Sequence, residues 1–327
     1  MYINQIFELS MVLDNKRFHQ VFKHIYNKKG YMKKKEDEYI DKSLEEKGIT
    51  VVYRDSQYKK KIKLFVNIGR LLNGCEYKVA RKLNKRIGEY FDFKYKLDDF
   101  ILSGMRLVTD INVSTHDGVM AYLKVLRRIS RVKGFSPVSY ECFEDVDSFC
   151  LEGNSNGIEF TIYDLEGLYR KQFREGDIER KRFKELIKES EGILRSEVRL
   201  AKTKAVRVYA GEKDIFRQII NLSEKCQDIF LEIFVKIIPF GDFYKKGKAE
   251  EIIWREIKDA RLRRRMLRLV EVIPEKKSLY LAQKAMECRN MEKVMEAFAK
   301  INLSPVTISK RHGMRYLKNF YECLFSM

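Results

Sequence analysis

The sequence predicts an α+β fold: a largely antiparallel sheet with flanking helices over residues 1–211, followed by an α-helical C-terminal domain over 212–327. Three observations predict it. Segments of strand length with alternating apolar and polar residues recur up to about residue 200, two of them joined by a hairpin-type turn. Stretches with a helical apolar stripe lie between them. From Glu212 onward the period is helical throughout, and the change of pattern near residue 211 sets the boundary.

Each element follows from its own pattern. Over Ile3–Leu13, Ile3, Phe7, Leu9, Met11 and Leu13 alternate with polar Asn4, Glu8 and Ser10, the period of a half-buried strand. Asp14 leads into a helix that ends near Gly30, and the charged residues 31–47 read as a loop. Gly48–Arg54 and Lys60–Ile68 form a hairpin, and Cys75–Phe91 is an amphipathic helix. Phe100–Val113 is a strand. Ser114, with Asp117 three positions on, makes a capping-box start for a helix whose apolar face is Val119, Leu123, Leu126 and Ile129. Residues 134–150 are irregular and acidic; Phe149–Leu151 and Ile158–Tyr163 then flank a turn at Gly153–Gly157. A charged helix covers Gly176–Glu191 and stops at Gly192. Ile193–Leu200 is a strand whose alternation runs on through Val206–Tyr209. Long helices are expected at Ile215–Val235, Ala249–Val270 and Leu279–Ile301, with a shorter one at Val306–Phe325.

Composition bounds the function. Among 327 residues, 66 Lys and Arg face 47 Asp and Glu, a formal charge of +19. A surface of that sign suits a polyanion, whose counterions are released on binding; a merely solvated basic surface is the plainer alternative. The 45% hydrophobic content supplies a real core, so the chain is not a disordered basic tail. No run approaches the ~18 apolar residues of a membrane span, and MYINQIFELSMVL lacks the basic start of a signal peptide. Six cysteines (Cys75, Cys142, Cys150, Cys226, Cys288, Cys323) occur without CxxC, which suggests neither a zinc site nor a disulfide framework. A cytoplasmic protein without a membrane partner is the expectation. GxxxxGK[ST], GxGxxG after a strand and HExxH are all missing, which argues against P-loop, dinucleotide-binding and zinc-hydrolase chemistry.

Three strands set reactive groups on one face. Alternation turns Glu159, Thr161 and Tyr163 to the same side in one strand, Arg195, Glu197 and Arg199 in another, and Arg106, Asp110 and Asn112 in a third. If the three are neighbours, one open face carries a tyrosine, carboxylates and arginines. That set would suit a metal-assisted tyrosine nucleophile: a phenol of pKa ~10 needs activation, carboxylates hold Mg2+ or Mn2+, and arginines hold phosphates. A solvated face of cross-strand ion pairs is the structural alternative.

The segments GIEFTIYDLEGLYRKQ and GILRSEVRLAKTKAVRVY, separated by a charged helix, resemble the rolling-circle replication initiators of filamentous phages and plasmids. Gly192, Leu194, Arg195, Glu197, Arg199 and Leu200 fill the family's second strand pattern, and LSGMRLVTDINV looks like its aspartate-bearing strand. The resemblance covers roughly residues 100–210. It implies a protein that nicks one DNA strand through a tyrosine with a divalent metal, stays attached to the 5′ phosphate and later rejoins the ends. Carried across, Tyr163 is the nucleophile and Asp110 and Glu197 are metal carboxylates; Arg195, Arg199, Lys202, Lys204 and Arg207 are candidate DNA contacts. The implied partner is DNA as a single strand or hairpin origin, with host replication proteins. A non-catalytic DNA-binding regulator of plasmid or phage replication is the alternative.

Beyond residue 211, Arg261, Arg264, Arg265 and Arg268 share one side of a helix and suit phosphates. The segment after Ile301 fits a helix-turn-helix, with Ser304-Pro305 opening a second helix that turns Lys310, Arg311, Arg315 and Lys318 to DNA; a helical hairpin is the plainer reading.

Overall fold

A computed structural model describes residues 1–30, 32–72 and 78–326, and its fold is α+β. Among the described residues ten strands form one antiparallel sheet: β1 (Asn4–Leu13), β2 (Lys33–Lys35), β3 (Glu38–Asp41), β4 (Ile49–Asp55), β5 (Lys60–Asn67), β6 (Ile101–Asn112), β7 (Phe135–Pro137), β8 (Ser148–Gly153), β9 (Ile158–Asp164) and β10 (Ile193–Leu200). Their spatial order is β2-β3-β4-β5-β1-β6-β10-β9-β8-β7. The long central strands β1, β6 and β10 are thus flanked by two meanders, one from each side of the sequence.

The helices between strands are α1 (Asn15–Lys29), α2 (Ile68–Leu72), α3 (Val79–Tyr90), α4 (His116–Ile129), α5 (Leu165–Arg174), α6 (Arg180–Ser190) and α7 (Thr203–Ala210). After them come α8 (Ile215–Glu224), α9 (Cys226–Ile237), β11 (Phe243–Tyr244), α10 (Lys246–Glu256), α11 (Ala260–Lys276), α12 (Leu279–Ala285), α13 (Met291–Lys300), β12 (Tyr316–Leu317) and α14 (Phe320–Phe325).

One sheet face is closed. Phe7, Leu9, Leu64, Leu107, Phe160, Leu194 and Val198 point into a core that α1, α3, α4, α7, α8 and α14 cover from behind. The core is continuous across residue 211: the Phe160 ring lies 6.0 Å from Phe234, and Tyr122 lies 5.1 Å from Phe320. On the opposite face, α5 packs on β9 and β10 and builds a small second cluster of Val146, Tyr163, Leu165 and Ile193.

Several expected elements differ. Residues 31–47 hold the edge hairpin β2–β3 in place of a loop; its charged residues hide the alternation that marks a half-buried strand. The helix after β6 is capped by Thr115, whose hydroxyl accepts from Gly118 N–H, while Ser114 turns outward at φ +71°; the Ser114 capping box is therefore corrected by one residue. Within 134–150 the chain forms β7, a 3-10 turn at Glu141–Phe143 and the start of β8. The helix predicted at Gly176–Glu191 begins at Arg180, and α5 precedes it.

Val206–Tyr209 belongs to α7, which buries Ala205, Val206 and Ala210 on one side and ends at Gly211 (φ +70°); its short apolar run imitates a strand. The long C-terminal helices are each broken. Lys225 separates α8 from α9, Asp259 caps α11 after a three-residue break, and residues 286–290 separate α12 from α13. Val306–Phe325 is not a helix, so no helix-turn-helix forms: residues 303–308 run buried and irregular, Leu303 and Ile308 bridge to Asp242 and Lys245, and only α14 is helical. The predicted start of the Cys75–Phe91 helix, with Cys75 itself, lies outside the described residues. Among the described residues no helix is long and apolar enough to cross a membrane.

Candidate functional site

Strands β6, β10 and β9 are neighbours, and their register arranges the front face in rows. Arg195 lies between Asp110 and Tyr163, Glu197 between Val108 and Thr161, and Arg199 between Arg106 and Glu159. Because side chains alternate, every second residue of each strand enters this face while the residues between them feed the core.

The charges on the face are mutually engaged. Arg195 grips Asp110 through two parallel bonds, Nε to Oδ1 at 2.6 Å and Nη2 to Oδ2 at 2.8 Å. Arg199 does the same to Glu8 of β1, at 2.8 and 2.9 Å, and reaches Glu159 at 3.1 Å. Arg106 donates Nε to the same Glu8 at 2.8 Å. Glu8 is the one member that lies outside the three strands whose polar faces the sequence groups together. Burial works to raise its pKa, yet the bond from Arg199 and the charges of Arg106 and Arg199 overcome that and hold it below the ordinary carboxylate value.

Tyr163 is 2% exposed. Its hydroxyl donates to Glu197 Oε1 at 2.6 Å, and its ring lies 4.6 Å from that of Phe143. Burial, followed by the negative charge of Glu197, pushes the phenol well above its usual pKa, so the hydroxyl is protonated in this arrangement.

Beside the covered tyrosine the face opens into a cavity of about 610 Å3 over β4, β5, β1, β6 and β10. Asn4, Phe65, Arg70, Asp110, Arg195 and Tyr169 are on its wall. Tyr169, on α5, was not singled out from the sequence; its place beside Asp110 and Arg195 depends on α5 folding back over β10. A place six positions after Tyr163, across the change from β9 to α5, gives no sign of that.

The candidate metal carboxylates already hold other partners. Both oxygens of Asp110 are taken by Arg195, and Glu197 accepts from Tyr163. Among the described residues no group of three or more His, Cys, Asp or Glu side chains could hold a metal ion. With the charge of Asp110 neutralised by a guanidinium, this donor set does not fit Mg2+ or Mn2+ as arranged.

The other predicted DNA contacts lie elsewhere. Lys202, Lys204 and Arg207 are exposed at the start and along the outer side of α7, whose inner side belongs to the closed core. Arg261, Arg264, Arg265 and Arg268 are exposed on α11, while Met266, Leu269 and Val270 of the same helix are buried. The structure therefore brings together Tyr163, Asp110, Glu197, Arg195 and Arg199, and places the remaining basic residues on two separate helices.

No protein-family model and no curated protein matches the chain. Among solved structures it is similar to a rolling circle replication initiator protein from Geobacillus stearothermophilus, with 13% sequence identity and a TM-score of 0.34 over 72% of this chain and 86% of that one. An overlap this loose leaves the chemistry of the site to its own residues.

Proposed function

We propose that the chain initiates DNA replication by binding a single strand and nicking it through Tyr163. The observation that carries this reading is the 2.6 Å contact of the Tyr163 hydroxyl with the Glu197 carboxylate, Tyr163 standing in a row with Arg195 and Asp110 and Glu197 in the next. A nucleophile and its base within hydrogen-bond reach are the starting equipment for nucleophilic catalysis. In the step it supports, Glu197 takes the phenolic proton while Tyr163 Oη bonds to phosphorus. The bond from phosphorus to the 3′ oxygen breaks, and that oxygen leaves and takes up a proton from water. The 5′ phosphate stays on the tyrosine, and attack by a 3′ hydroxyl reverses the step. Phe143 and α5 cover Tyr163, so DNA has to displace them to reach it.

A second reading, non-catalytic DNA binding in the control of replication, is favoured by the same burial and by the commitment of Asp110 to Arg195. Denaturing gels of protein with labelled single-stranded oligonucleotides, run with Mg2+, Mn2+ or EDTA, separate the two. Nicking predicts a covalent adduct that Tyr163→Phe abolishes while binding persists. Loss of the adduct in Tyr169→Phe alone moves the nucleophile to α5, and absence of any adduct in the wild type leaves the binding reading.

A further inference from the structure

The chain has a single tryptophan, Trp254 on α10, and it is 59% exposed. A ring of that size left in water forgoes one of the largest burial gains available to a side chain. It is not left to move freely. The Arg263 guanidinium lies over it, 4.2 Å from the ring centroid, and is itself anchored by a bond from Nη1 to the Ile257 carbonyl at 3.2 Å. One face of the indole is thus backed by a fixed cation. Beside it a hollow of about 440 Å3 is walled by Trp254, Leu267, Arg264 and Arg268.

The charge around the ring is cationic after pairing is counted. The hollow also holds Glu250 and Glu271, but Glu271 is bonded to Arg268 at 2.6 Å and Glu250 faces Lys246 at 3.6 Å. Glu251 pairs with Lys248 and Glu256 with Arg255, and Asp259 accepts the Arg261 and Leu262 amides as the helix cap. Among the described residues Arg261, Arg264 and Arg265 meet no carboxylate at ion-pair distance. The apolar side of α11 is spent in the core, through Met266, Leu269 and Val270, so the helix has no greasy face to lay on a membrane.

We propose that Trp254, backed by Arg263 and flanked by Arg264 and Arg268, is a stacking platform for an unpaired base of single-stranded DNA. The arginines hold the phosphates on either side. The proposal rests on the DNA-binding reading above and adds a second place of contact, remote in sequence from Tyr163. An aromatic face flanked by cations selects single strands because a base in a duplex has both of its faces already stacked.

The lone tryptophan makes the test direct. Full-length protein is titrated with a fluorophore-labelled oligothymidylate of about 20 nucleotides, long enough for a site of this kind. Anisotropy of the label and emission of Trp254 are followed together. The expected result is saturable quenching of Trp254 with the same midpoint as the anisotropy, and none at equal concentrations of duplex. Trp254→Ala weakens binding by about 5- to 100-fold, the range for loss of one stacked base, and Trp254→Phe recovers most of it. Arg264→Ala lowers the slope of log affinity against log salt by about 0.7, one phosphate on a single strand. Binding by anisotropy without quenching, with Trp254→Ala as tight as wild type, overturns the platform and leaves the DNA reading standing. Equal quenching by duplex overturns single-strand selection, and no binding of any DNA overturns the DNA reading itself.

Discussion

At the scale of single residues, Glu8 decides how the front face behaves. It accepts from two arginines on two different strands and is almost enclosed by them, so its removal leaves two guanidinium groups facing each other. Glu8→Gln is expected to cost about 3 kcal/mol at neutral pH, the lower end for breaking a buried pair. Glu8 holds its proton less tightly folded than unfolded. Its stabilisation is therefore complete above the ordinary value of 4.5 and is lost as pH falls through the depressed folded value. Thermal midpoints measured from pH 7 to pH 3 will fall more steeply in the wild type than in Glu8→Gln; parallel curves would show that Glu8 is not the titrating group. Alternation in Ile3–Leu13 is enough to place Glu8 on a polar face. Its partners are not readable there, because Arg106 and Arg199 come from strands about 100 and 190 residues away, and only the order β1-β6-β10 sets them beside it. Tyr163, Glu197 and Asp110 were readable as a set since a period of two puts them on one face. The bond between Asp110 and Arg195 was not, because it depends on which residue stands opposite which.

Among the elements, the junction that feeds β10 is the most sensitive. Gly192 sits at φ +67°, and a Cβ there would lie 2.6–2.8 Å from the Ser114 and Thr115 backbone at the start of α4. Backbone cannot yield as a flexible side chain can, so Gly192→Ala is expected to cost more than about 2 kcal/mol. Gly211 has a similar φ, +70°, but open space around it, and Gly211→Ala should cost only about 1 kcal/mol. Urea midpoints at unchanged slope report both, and a reversed order would refute the crowding argument. The central strands were legible because each buries one face, as β10 does with Leu194, Val198 and Leu200. Helix ends were less so. In Leu279–Ile301 the apolar stripe resumes after the break at residues 286–290, so periodicity alone joins α12 to α13.

For the whole molecule, the helices after residue 211 complete the core begun by the sheet. Leu222, Phe230, Phe234, Phe320 and Leu324 lie in the same core cluster as Leu107 and Phe160. Residues 1–211 alone would expose the back of β6 and β9 to water. That fragment is expected to bind a hydrophobic dye and lack a sharp melt, whereas the full chain melts in one transition. A fragment with a cooperative melt of its own would make the change of period at 211 a true folding boundary. A change of period records only where strands give way to helices, and says nothing of what those helices pack against.

The two ends of the ten-stranded sheet carry a different consequence. One end is β2, a run of three lysines in sequence, and the other is β7, which closes on Pro137, a residue with no amide hydrogen to offer. Strands at a sheet's rim are templates onto which further chains can add, and lysine and proline are the residues that discourage it. Both rims of the sheet therefore disfavour the addition of a further strand.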